Sequence, residues 1–68
     1  MALFYRDFVT GKQKWTRGEP VGVTRGGPMN AWYLIIKRRR SELLIPEYCL
    51  IGASQTHFRE LKRKREEG

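Results

Sequence analysis

Residues 31–51, AWYLIIKRRRSELLIPEYCLI, constrain the fold more than any other part of the chain. Trp32, Leu34 and Ile36 alternate with Tyr33, Ile35 and Lys37, which is the period-2 pattern of a strand in a packed sheet. Arg38, Arg39, Arg40 and Ser41 are all polar and fit a hairpin turn. The chain returns through Leu43, Leu44 and Ile45 and stops at Pro46, which has no N–H to give to a sheet ladder. Glu47, Tyr48 and Cys49 read as a short helical turn, and Leu50 and Ile51 as a last brief strand. Two apolar strands thus carry four consecutive cations, Lys37, Arg38, Arg39 and Arg40, at one end of a sheet.

The rest of the chain must fit around one small core. A domain of 68 residues buries only about 60% of its unfolded surface, so two cores are excluded. No apolar run approaches the ~18 residues of a membrane span, and the N-terminus lacks a signal-peptide pattern. Membrane partnership is therefore not expected. The single cysteine, Cys49, excludes an internal disulfide framework and points to a reducing, intracellular compartment. Fourteen Lys and Arg against seven Asp and Glu give a formal charge of +7. That excess calls for a polyanionic partner, nucleic acid before an acidic membrane surface.

Residues 2–9, ALFYRDFV, read as a first strand with Phe4 and Phe8 on the core face. Thr10 to Gln13 form a turn, with Gly11 free to take positive φ. Trp15 follows, between Lys14 and Arg17. Arg17, Gly18, Glu19 and Pro20 bend the chain. Residues 21–25 read as another strand, in which Gly22 marks a sharp bend or a close backbone approach. Residues 26–30, GGPMN, form a flexible turn before the hairpin. Several short strands with turns every eight to twelve residues indicate a small barrel or sandwich. After Gly52 the character changes. Ser54 suits an N-cap, residues 55–67 carry helix formers, and Phe58 and Leu61 supply a short apolar stripe. Beyond Leu61 nothing apolar remains, so Lys62, Arg63, Lys64 and Arg65 are expected on a fraying last turn.

No catalytic constellation is present. Cys49 reads as a small buried hydrophobe and His57 as a surface or packing residue. One His and one Cys cannot supply the four ligands of a structural zinc site, and no cofactor is expected. The carboxylates show no pairing in their spacing. The basic runs carry the functional signal. Lys37 to Arg40 sit beside a rigid strand, and Arg suits bidentate phosphate contacts. Trp15 either packs in the core or stacks on a base or sugar. Arg25 ends the second apolar strand and joins the basic set. Residues 62–65 read as a nuclear-import patch, a phosphate-binding tail or a charged end.

Phe4-Tyr5-Arg6-Asp7, Thr10-Gly11, Trp15, Gly18, Pro20-Val21, Gly26-Gly27 and Leu44-Ile45-Pro46 together resemble the C-terminal DNA-binding domain of retroviral integrases. The resemblance spans about residues 3–52. It implies a five-stranded SH3-like barrel in a viral protein, binding viral or target DNA and assisting multimerisation, with catalysis in a separate domain. The chain departs from the pattern by one extra residue between Trp15 and Gly18 and by its unusually basic hairpin.

The expectation is a mainly β, SH3-like barrel over residues 1–53 with a basic helix or tail over 54–68. Its function would be non-enzymatic binding of DNA phosphates through Lys14, Trp15, Arg17, Arg25, Lys37, Arg38, Arg39, Arg40, Lys62, Arg63, Lys64 and Arg65. A homo-oligomer or larger assembly is a compatible state. Two other readings stand beside it. One is an RNA- or ribosome-binding small barrel. The other is a protein-interaction module with an aromatic groove of Tyr5, Trp15, Tyr33 and Tyr48.

Overall fold

The computed structural model describes residues 1–67. Five strands are followed by a single turn of 3₁₀ helix and one long helix. The strands are β1 (Ala2–Arg6), β2 (Gln13–Arg17), β3 (Glu19–Gly26), β4 (Ala31–Lys37) and β5 (Glu42–Pro46). The 3₁₀ turn covers Glu47–Cys49, and the helix α1 covers Ala53–Glu67. The strands form two antiparallel sheets, β1-β2 and β3-β4-β5, and no single closed barrel. One isolated bridge, Tyr5 to Leu50, returns the chain to β1 after the 3₁₀ turn, where a brief final strand was expected.

β4 is the centre of the larger sheet. Leu34 and Ile36 point inward and are completely buried. Val23 opposes Leu34 from β3, and Ile45 opposes it from β5. Leu3, Cys49, Leu50 and Phe58 complete the core. The ladder between β3 and β4 slips by one residue between Pro20 and Gly22. Val21 is the extra residue, so the bend expected at Gly22 is a β-bulge.

The core face of β1 is the opposite of the one expected. Leu3 is buried and Tyr5 half-buried, while Phe4 is 45% and Phe8 73% exposed. Both faces of the segment carry apolar groups, so alternation alone does not choose between them. The strand also ends at Arg6, not at Val9, because Asp7 starts a tight turn. The Asp7 N–H donates to the Lys12 carbonyl and the Gly11 N–H to the Asp7 carbonyl, with Gly11 at φ 73°. Phe8 is thereby removed from the ladder and rests against Tyr48 with ring centroids 5.5 Å apart.

Two further expectations about α1 are corrected. Ser54 is not its N-cap: the helix begins at Ala53 and Ser54 is buried in its first turn. The Ser54 hydroxyl accepts from the Ile51 N–H at 3.1 Å. Its own hydrogen has the Phe4 carbonyl at 2.8 Å and the Ile51 carbonyl at 2.7 Å within reach, so it ties the helix start to β1. Nor does the helix fray after Leu61. It continues to Glu67 because Arg65 donates to the Val23 carbonyl at 2.7 Å, anchoring the last turn on β3.

Gly18, which joins β2 to β3, lies close against the end of β4. A Cβ there would lie 2.7 Å from Ile36 Cγ2 and 2.7 Å from the Lys37 carbonyl oxygen. Ile36 is fully buried and the other neighbour is backbone, so neither can yield cheaply. Gly18→Ala should therefore lower unfolding stability by about 1–3 kcal/mol in urea titration, the usual cost of overpacking. Gly26→Ala, with open space around the added carbon, should stay within about 1 kcal/mol of the parent. Equal behaviour of the two variants would show that Gly18 does not lie against β4. Burial also raises the Cys49 thiol above its ordinary 9.0. Native protein should react with a thiol reagent far more slowly than urea-unfolded protein; equal rates would contradict this packing.

Candidate nucleic-acid interface

The basic residues singled out from the sequence separate into two clusters, two positions faced by acidic groups, and two, Arg63 and Lys64, that stand exposed on α1. The first cluster is built on the β4–β5 hairpin. The Arg38 N–H donates to the Ser41 carbonyl at 2.8 Å and closes the turn. The Arg38 guanidinium then donates twice to the Ser41 hydroxyl, from Nε at 3.1 Å and Nη2 at 2.9 Å. Arg38 keeps its charge and its remaining N–H groups, but its direction is fixed. Arg39 and Arg40 occupy the exposed tip. Arg17 joins them from β2, because it precedes Gly18, whose missing Cβ would lie 3.3 Å from Arg38 Cγ.

The second cluster surrounds Trp32 at the other end of β4. Lys62 Nζ lies 4.9 Å from the ring centroid, Arg65 Cζ 5.5 Å and Arg25 Cζ 5.6 Å. Arg25 is further held by a 3.3 Å bond from Nε to the Asn30 carbonyl. The turn that delivers Asn30 needs left-handed backbone at both Gly27 and Asn30. The run Lys62, Arg63, Lys64, Arg65 is therefore divided. Lys62 and Arg65 reach Trp32, whereas Arg63 and Lys64 are exposed on α1. Three cations on one ring repel one another; ring attraction and the Arg65 bond to β3 offset that cost. Beside the ring lies an open groove of about 550 Å³ lined by Asn30, Ala31, Trp32, Glu47, Tyr48 and Gln55. Trp32 to Lys37 is five residues of strand, which separates the clusters by about 17 Å along β4.

Lys14 and Lys37 differ from the rest because acidic groups face them. Lys14 forms the one ion pair among the described residues, Nζ to Asp7 Oδ2 at 2.7 Å. Lys37 stands on β4 directly between Glu19 of β3 and Glu42 of β5. Opposite charges at that cross-strand spacing attract one another, although no ion pair closes there among the described residues.

Two members of the β1-β2 sheet, Phe4 and Arg6, were missed as site residues by the sequence reading, which had singled out only Trp15 there. Trp15 is 58% exposed, which excludes core packing, and it lies directly opposite Phe4. Arg6 shares that outer face. Period-2 reading with Leu3 inward would have found both. The aromatic groove does not form: Tyr48 lines the groove beside Trp32, while Tyr5 lines a separate cleft between β1 and β5. Trp15 lies on the outer face of β1-β2, and Tyr33 on the outer face of the other sheet. Among the described residues no group of three or more His, Cys, Asp or Glu could hold a metal ion. No helix is long and apolar enough to cross a membrane. No family model, curated protein or solved structure matches the chain.

The Asp7 site has its own pH dependence. Its Oδ1 accepts from the Val9 N–H at 2.7 Å and the Thr10 N–H at 3.1 Å. The Lys14 bond first, and these amides second, hold the carboxyl at about 2 against an ordinary 3.8, and the same pair raises Lys14. The native state thus binds fewer protons than the unfolded chain between those values. The hairpin's stabilisation is complete above about pH 4 and is lost as pH falls through 2. An NMR titration should place the Asp7 midpoint near 2, and Lys14→Gln should move it toward 3.8. An unshifted midpoint in the parent would contradict the pairing.

Proposed function

We propose that this chain is a non-enzymatic nucleic-acid-binding domain that grips phosphates through the two cationic clusters at the ends of β4. The observation that carries the reading is the Trp32 site. Arg25, Lys62 and Arg65 converge on one ring, and no carboxylate among the described residues lies within ion-pair distance of them. Cations held together without an ion-paired carboxylate form a preorganised anion site, because the entropy of ordering them is already spent in folding. A polyanion would relieve their mutual repulsion and release its own condensed counterions. The hairpin arginines supply a second grip one strand-length away.

Duplex DNA is the first partner in this reading, on the resemblance to the integrase C-terminal domain carried by Phe4 to Asp7, Trp15, Gly18 and Leu44 to Pro46. The same resemblance favours an SH3-like relation between the sheets. The antiparallel order β3-β4-β5, the 3₁₀ turn after β5 and the bridge from Leu50 back to Tyr5 support it. Readout would be of phosphates, with little base preference.

The test is a salt titration of binding with single and double variants. Each phosphate contact removed lowers the slope of log affinity against log salt by about 0.9 on duplex DNA. Arg39→Gln with Arg40→Gln should flatten it by about two units. Lys62→Gln should flatten it by about one unit, and Lys37→Gln, between two glutamates, by almost nothing. Deleting residues 62–68 should cost at least as much as the hairpin double variant, since Lys62 and Arg65 are held on the fold. Absence of salt-dependent duplex binding at low salt would refute the proposal. A tenfold preference for RNA would replace it with the RNA reading, and binding of a peptide alone with the protein-interaction reading.

A further inference from the structure

Apart from Arg17, the two clusters leave one exposed surface unused, the outer face of the β1-β2 sheet. Six residues form it in three directly opposed pairs: Ala2 with Arg17, Phe4 with Trp15, and Arg6 with Gln13. All six are exposed. Side chains so opposed stand about 4.5–5.5 Å apart at Cβ, so Phe4 and Trp15 present two aromatic groups side by side to solvent. A small domain short of core material would gain by burying them, yet Leu3 and Thr16 fill the inner face instead. An arginine stands at each end of the aromatic pair. Arg6 and Arg17 lie about 14 Å apart along the strands, four residues at ~3.4 Å each. The face carries no carboxylate. Asp7, next in sequence to Arg6, is occupied by Lys14 and two backbone amides. The hairpin that fixes the two strands is thus braced by the Asp7 turn, and the aromatic pair is held in place before any ligand arrives.

We infer that this face is a stacking platform for unpaired bases of single-stranded nucleic acid, with Phe4 and Trp15 against the bases and Arg6 and Arg17 on the flanking phosphates. The inference rests on the nucleic-acid reading above and adds a substrate class to it. Every base has a π face, so such a platform is indifferent to sequence. Charge complementarity selects this occupant: two cations and no acid around the aromatics match a polyanion that also offers flat apolar rings. A duplex keeps its bases stacked on one another and has none to offer except at frayed ends. The platform therefore discriminates by strandedness, whereas the clusters along β4 grip either form. Arg17 connects the two functions, since it ends the platform and adjoins the Arg38 turn through Gly18.

The experiment uses the full chain with two probes, a 12-nucleotide oligo-dT and a mixed-sequence 12-base-pair duplex, at one fixed salt concentration. Trp15→Ala should weaken oligo-dT binding roughly 5- to 100-fold, the loss expected for one stacked base, and change duplex binding less than about twofold. Phe4→Ala should act in the same direction, and Trp15→Phe should restore most of the affinity. The salt slope on oligo-dT should be unchanged in Trp15→Ala, but fall by about 0.7 for each of Arg6→Gln and Arg17→Gln. Both aromatic positions are exposed, and a circular dichroism spectrum equal to the parent's verifies that the fold is kept. As a direct readout, oligo-dT should quench the indole emission of the parent, and in Trp15→Ala only the part contributed by Trp32 should remain. If duplex binding persists while Trp15→Ala leaves oligo-dT affinity and quenching unchanged, the platform is refuted and the cluster reading survives. Equal losses on both probes refute the platform as well. If the parent binds neither probe at low salt, the nucleic-acid reading falls and the platform with it.

Discussion

The burial of Leu34 and Ile36 on β4 is the constraint on which the rest of the molecule depends. Both side chains are fully enclosed, and the core of the molecule is assembled around them. β3 and β5 flank β4 in the ladder, Phe58 brings α1 against the same core, and Gly18 lets the link from β2 to β3 approach within contact of Ile36. In a chain of this size, losing such a side chain to Ala typically removes 2–5 kcal/mol, a large share of what a small domain has. The strand is thus a rigid spacer, and the cationic clusters inherit its rigidity because they sit at its two ends.

Holding so much positive charge on a small domain sets a second problem, and it is met in three ways. At Lys14 and Lys37 carboxylates lie opposite. At Arg38 a neutral hydroxyl, Ser41, fixes the guanidinium without cancelling its charge. At Trp32 the aromatic ring does so for Arg25, Lys62 and Arg65, helped by the Asn30 carbonyl at Arg25 and the Val23 carbonyl at Arg65. The last two devices organise charge without neutralising it. A surface that only needed solubility would have no use for fixed directions, since long cationic side chains lose about 2 kcal/mol of rotamer entropy when immobilised. This difference in device separates a candidate phosphate contact from a merely basic residue.

Much of the architecture was legible in the sequence wherever the signal was local. The β4–β5 hairpin, the helical turn after Pro46, the left-handed Gly11 and the docking of Phe58 and Leu61 all follow from neighbouring residues. What was not legible depended on distant ones. Residues 2–8 carry apolar groups on both faces, and only the packing of Leu3 with the core decides between them. The helix end read as frayed because its anchors, Val23 and Trp32, lie 42 and 33 residues before Arg65. The pairing of Asp7 with Lys14 arises from the turn between β1 and β2, and the placing of Lys37 between two glutamates from strand register. In the candidate site, charge was visible as composition, whereas the sorting of cations into held, free and neutralised needed the fold.

The central claim is that the clusters at the two ends of β4 form the nucleic-acid surface, and amide and indole shift mapping with a short duplex at low salt tests it most directly. The account predicts that the Trp32 indole, the Arg25 and Lys62 amides and the amides of residues 38–41 move together in fast or intermediate exchange. Phe8, Leu44 and Ile45, which line the cleft between β1 and β5, should stay in place. Shifts confined to that cleft, with Trp32 and the Arg38 turn unmoved, would contradict it.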